Sequence, residues 1–153
     1  MKLRKIKELP NLSKNAIEIA VEKFIKDSRV KNVDQVGMFN QTIESIAQAT
    51  IFATNNASQF WLADDGHDVL AYALSHVSKD VDNKLTFTIS QAWVCPELRG
   101  KKIVKIWFQQ LQDEADRLMC KHIMLPASRH VKPYLRFLGK GYHEYVTLIK
   151  KDL

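Results

Sequence analysis

The sequence predicts one α/β domain, with a mixed and mainly antiparallel sheet flanked by helices in the order β-α-α-β-β-β-α-β-α-β. Three observations carry this. Apolar residues recur at helical spacing in two early stretches and again after residue 102. Three β-prone runs separated by short turns fill residues 59 to 94. The third run stops at Pro96, passes through an Arg-Gly turn and enters a long amphipathic helix. At 153 residues, 46% hydrophobic and 26% charged, the chain has the size of a single domain and can bury a substantial core.

Residues 2 to 8 alternate basic residues with Leu3 and Ile6, as an edge strand does, and Pro10 ends the run. Asn11 or Ser13 can cap a first helix with Ala16, Ile17, Ala20, Val21, Phe24 and Ile25 on one face. Residues 28 to 38, which include Gly37, read as a loop. A second helix is expected from about Asn40, burying Ile43, Ile46, Ala47, Thr50 and Ile51.

After the turn-prone Asn55-Asn56, residues 59 to 63 and 69 to 77 read as a hairpin closed by Asp64-Asp65-Gly66-His67-Asp68. Residues 80 to 84 make the next turn, and Leu85 to Val94 the third strand of a meander. The following helix places Ile103, Trp107, Leu111, Ala115 and Leu118 on one face. Residues 122 to 125 then read as a short strand, 131 to 138 as a helix and 142 to 149 as a last strand. No repeat or low-complexity linker interrupts the order, and helices on both faces of a mixed sheet follow from it.

The junction at residues 93 to 104 is the chemically distinctive stretch. A helix start leaves N–H groups without intrahelical partners and carries the positive end of the helix dipole, which suits a phosphate. Arg99, Lys101, Lys102 and Lys105 add charge around it.

The run Val94-Cys95-Pro96-Glu97-Leu98-Arg99-Gly100-Lys101 resembles the acyl-CoA-binding motif of the GNAT N-acetyltransferase superfamily, Arg/Gln-x-x-Gly-x-Gly/Ala. With Arg99 in the first position, Lys102 and Val104 occupy the two small-residue positions. The resemblance implies an acetyl-CoA-dependent N-acetyltransferase that moves an acetyl group to an amine. It implies that Arg99, Gly100, Lys101, Lys102, Ile103 and Val104 cradle the pyrophosphate, and that the splayed strand at Trp93 and Val94 meets the pantetheine arm.

The element order fits that family from end to end. Gly141-Tyr142 occupies the Gly-Phe end of a second family pattern, which puts Phe137 where a tyrosine often protonates the departing thiolate. Tyr134 lies about one helical turn earlier and is the candidate replacement.

The Val94 amide is the expected oxyanion donor. Strand 85 to 94 holds no carboxylate, which leaves His76, Glu144 and Glu97 as candidate bases, each with a structural or solvated role to weigh against it. Cys95 has no His near it in sequence and reads as a small strand-end residue. His122 and His130 read as surface or packing residues, and Trp61, Trp93 and Trp107 as core.

A second expectation is a GNAT-like structural or interaction protein without acyl transfer, since both small positions, the tyrosine and the strand carboxylate are substituted. The run Arg136-Phe137-Leu138 resembles internal virion proteins of tailed phages. That reading leaves a homodimer or a virion assembly open.

The net charge of +6 favours anionic partners, and nucleic acid stays the lesser reading beside acetyl-CoA. The two cysteines lack metal-ligand spacing and suit a reducing compartment. No apolar run approaches the ~20 residues that cross a bilayer, and the basic N-terminus lacks a signal-peptide core, so a cytoplasmic protein is expected.

Overall fold

Alternation in the middle of the chain becomes a sheet ordered β1-β2-β3-β4-β5: β1 (Arg4–Lys5), β2 (Ser58–Asp64), β3 (Val69–Lys79), β4 (Leu85–Val94) and β5 (His122–Met124). The computed structural model describes residues 2–6, 10–27, 34–51, 58–125 and 141. The expected helix at 131 to 138 and strand at 142 to 149 lie outside them. Neighbours from β1 to β4 pair antiparallel, and β5 pairs parallel to β4. The predicted meander is therefore present, with β4 in the predicted register of residues.

Two helices, α1 (Ala16–Asp27) and α2 (Gln35–Ile51), cover one face, and α3 (Lys102–Arg117) covers the other. On the α1/α2 face, Ala20, Val21, Ile25 and Ile46 meet Phe60, Leu62, Tyr72, Leu74 and Trp93. On the α3 face, Trp107, Leu111 and Ala115 meet Trp61, Ala71, Ala73, Phe87 and Ile89. The three tryptophans are core residues, as their sequence positions imply.

Two expectations about the first layer need correction. Residues 35 to 38 are helix, so α2 starts about five residues before Asn40 and includes Gly37. Asp34 explains this: its Oδ1 accepts the Gly37 N–H at 2.9 Å and its carbonyl accepts the Met38 N–H, an N-cap that outweighs one glycine.

The buried face of α2 is Thr42, Ile46 and Ala49; Ala47 is exposed and Ile51 is 73% exposed. The Ser13 hydroxyl, expected to cap α1, lies 2.6 Å from His67 Nδ1, so it ties the start of the helix to the β2–β3 hairpin.

The α3 face holds a buried polar chain. Trp61 Nε1–H donates to Ser75 Oγ at 3.0 Å, Ser75 donates to Gln59 Oε1, and Gln59 Nε2 donates to Glu114 on α3. Hydrogen bonds from Arg117, above all, hold the Glu114 carboxyl below the usual carboxylate range, and nearby Lys5 adds to this.

Ser75→Ala should orphan the buried Trp61 indole N–H, lowering the unfolding free energy by about 1–3 kcal/mol in urea denaturation. Because the folded Glu114 binds its proton less tightly than the unfolded chain does, its contribution is present above the unfolded carboxylate pKa. It is lost as pH falls through the lowered folded one. Glu114→Gln should therefore flatten the acid limb of a pH–stability curve.

Candidate active site at the junction of β4 and α3

β4 carries one residue too many for its partner. Leu74 pairs with Gln91 and Ser75 with Ile89, so Ser90 is bulged out, its Oγ donating to the Leu74 carbonyl at 3.2 Å. The bulge reverses which face odd-numbered side chains take. Phe87 and Ile89 point to α3, whereas Trp93 packs on the α1/α2 side.

Past the bulge the backbone pattern is regular. Cys95 N–H donates to the Leu70 carbonyl at 2.8 Å. Antiparallel alternation then makes Trp93–Tyr72 a hydrogen-bonded pair and turns the N–H and C=O groups of Ala92 and Val94 to the opposite edge. On that edge, pairing with β5 covers only Thr86, Phe87 and Thr88. Among the described residues the pairing with β5 ends before the bulge, and the Ala92 and Val94 amides lie on the same edge beyond it.

Pro96 starts a 3₁₀ turn, Pro96–Leu98, and Gly100 sits at φ +76°, a conformation that favours glycine; an added Cβ there would meet nothing within 4 Å. The amides of Arg99, Lys101 and Val104 bond to carbonyls of the turn. Those of Gly100, Lys102 and Ile103 have no bond among the described residues. They lie at the start of α3, whose first turn contains no acid and which Lys101, Lys102 and Lys105 surround.

A phosphate fits this donor set. Lys102 is exposed, and Val104 packs against the α3-face core, so neither side chain is committed to filling the turn.

Arg99 is engaged elsewhere. Its Nε–H donates to the Val94 carbonyl at 2.9 Å and its Nη2 to Asp27 Oδ2 at 2.6 Å, the same oxygen that Trp93 Nε1 approaches at 3.4 Å.

On the α1/α2 face the Tyr72 hydroxyl donates to Gln91 Oε1 and Gln91 Nε2 donates to Thr42 Oγ1 at 2.9 Å. Burial pushes the Tyr72 phenol well above its ordinary pKa, so it stays a donor. A shallow groove of about 250 Å³ opens between α1 and α2, lined in part by Lys26, Gln35 and Phe39.

The structure brings together Val94, Gly100, Lys101, Lys102, Ile103 and Val104. It does not bring in Trp93, whose side chain is buried and whose amide faces β3, nor His76. His76 pairs with Thr88 while Val94 pairs with Ala71, about 16 Å apart along β3 at strand rise. Glu97 is exposed, with its carboxyl held low by its own backbone amide and by the Cys95 thiol, which disfavours it as a base. Burial pushes the Cys95 thiol up, which fits a small strand-end residue. Tyr134 and Glu144 lie outside the described residues.

Sequence reasoning missed Ala92, Gln91 and Asp27. Alternation from Val94 points to Ala92, but nothing local signals the other two.

These features define an α/β protein with an anion-receptive strand-to-helix junction at the end of a mixed sheet. The chain belongs to the acetyltransferase (GNAT) family, matching it over residues 18–140. No curated protein matches it in sequence.

Solved structures do resemble it. Glucosamine-6-phosphate N-acetyltransferase from Arabidopsis thaliana is 16% identical, with a TM-score of 0.62 over 99% of this chain and 98% of that one. A predicted acetyltransferase from Clostridium acetobutylicum, solved with acetyl-CoA, is 18% identical, with a TM-score of 0.64 over 99% and 95%. The apo aminoglycoside 6'-N-acetyltransferase from Acinetobacter haemolyticus is 14% identical, with a TM-score of 0.65 over 100% and 99%. At these identities the likeness establishes the fold.

Gly100→Ala should cost about 1–2 kcal/mol in chemical denaturation through backbone strain alone, because its Cβ meets no neighbour.

Proposed function

We propose that this protein is an N-acetyltransferase that moves the acetyl group of acetyl-CoA directly to an amine. One observation carries the reading: the Ala92 and Val94 amides turn away from β3 just before a basic helix start whose Gly100, Lys102 and Ile103 amides have no bond among the described residues. Family membership and a structural neighbour solved with acetyl-CoA support it.

Acetyl-CoA supplies an activated thioester. Its pyrophosphate would rest on residues 100 to 104 and its pantetheine arm along the edge of β4 at Ala92 and Val94. The Val94 N–H would donate to the carbonyl oxygen as negative charge builds there. The amine lone pair attacks the carbonyl carbon, the C–S bond breaks, and the sulfur leaves as thiolate.

Tyr134 is the proposed proton donor to that sulfur. Glu144 is preferred over His76 as the base, since His76 stands too far along β3 to act without relay. The acceptor would approach from the groove between α1 and α2. Neighbours whose names specify glucosamine 6-phosphate and aminoglycosides make amino sugars the first acceptors to try.

Calorimetry with acetyl-CoA at low salt should show binding, and a ligand held at 100 times its Kd should add about 2.7 kcal/mol of apparent stability. Lys102→Glu should weaken binding about tenfold or more. Amino-sugar acceptors should release free thiol from acetyl-CoA, and Tyr134→Phe should slow that release. The absence of both heat and thermal shift with acetyl-CoA would sink the enzymatic reading and leave a GNAT-fold interaction protein in its place.

A further inference from the structure

The charged residue that heads the motif is engaged within the protein. Two donors of Arg99 are occupied, Nε–H by the Val94 carbonyl and Nη2 by Asp27 Oδ2. Asp27 ends α1, 72 residues away in sequence, and a carboxylate there stands at the unfavourable end of the helix dipole. The Arg99 guanidinium and the Trp93 indole N–H both reach it and offset that cost. The ion pair is half exposed, 47% and 44%, and such pairs add little to stability, so its geometry matters more than its energy.

We infer that Arg99 is a positioning residue anchored by Asp27: the α1 carboxylate holds the guanidinium against the Val94 carbonyl and so fixes the edge of β4 that faces away from β3, while Lys101, Lys102 and Lys105 meet the charge of the cosubstrate. Val94 presents its N–H and C=O on the same edge, so a clamp on the carbonyl restrains the residue whose N–H is the proposed oxyanion donor. The planar fork of arginine spans two acceptors in a way that the point charge of lysine does not.

This inference rests on the acyl-CoA reading for its functional consequence and on the Asp27–Arg99–Val94 contacts for its geometry, and two measurements separate them. Hydrogen exchange of the peptide covering residues 93 to 100 requires no cosubstrate. Asp27→Ala and Arg99→Lys should each speed it several-fold while the melting temperature barely moves, and unchanged exchange in both variants would overturn the clamp.

Calorimetry with CoA at low and high salt tests the consequence. Removing a negative charge near an anion site should tighten CoA on electrostatic grounds alone, whereas loss of the clamp should weaken it, about five- to tenfold, with an unchanged salt dependence. Arg99→Lys, which keeps the charge, should weaken CoA as much, and Lys102→Gln should flatten the salt dependence. Tighter or equal CoA binding in Asp27→Ala, or full function in Arg99→Lys, rejects the positioning role. A wild-type protein that binds no CoA but shows the exchange effect rejects the acyl-CoA reading and leaves the clamp standing.

Discussion

One extra residue in β4 decides where everything around the junction points. Without Ser90 the side chains of Gln91 and Trp93 would continue on the α3 side behind Phe87 and Ile89; with it they turn to α1 and α2. Bulges bend and twist the strand that carries them. This one falls just past Thr88, the last residue of β4 paired with β5 among the described residues. The same change of face delivers Gln91 to Tyr72 and Thr42, which join β3, β4 and α2 through side chains whose polar atoms are paired.

The turn that follows works by the same economy of backbone groups. A proline removes one donor, a glycine at positive φ reverses the chain, and the helix that begins at Lys102 leaves its first amides over. Buried amides without partners are costly, but these lie on an exposed, basic rim where water or an anion can satisfy them. Charge and hydrogen-bond supply point the same way, which is why the junction suits a phosphorylated cosubstrate even though Lys102 and Val104 stand where the family pattern has small residues. Val104 is turned into the core and Lys102 into solvent, so their bulk is carried away from the amides.

Periodicity made most of the fold legible. α1 and α3 carry helical apolar spacing and β2, β3 and β4 are β-prone apolar runs bounded by turn residues, and their ranges come out within about two residues of the structure. The start of α2 was hidden because Gly37 weighs against helix while the signal for it, the Asp34 side chain on the Gly37 amide, is a single contact. Its buried face was misjudged because Thr42 is buried and hydrogen-bonded to Gln91, and composition alone does not rank a threonine above Ile51.

By itself the sequence determined the layered α/β class and the basic strand-to-helix turn, because alternation, helical spacing, Pro96, Gly100 and the lysines act through neighbours a few residues away. Only the tertiary structure decided that Ala92 joins Val94 in turning its amide away from β3, that Trp93 turns inward, and that Arg99 answers to Asp27. Those outcomes depend on register between strands and on contacts across as many as 72 residues. A bulge shifts that register without leaving a mark in the residue pattern.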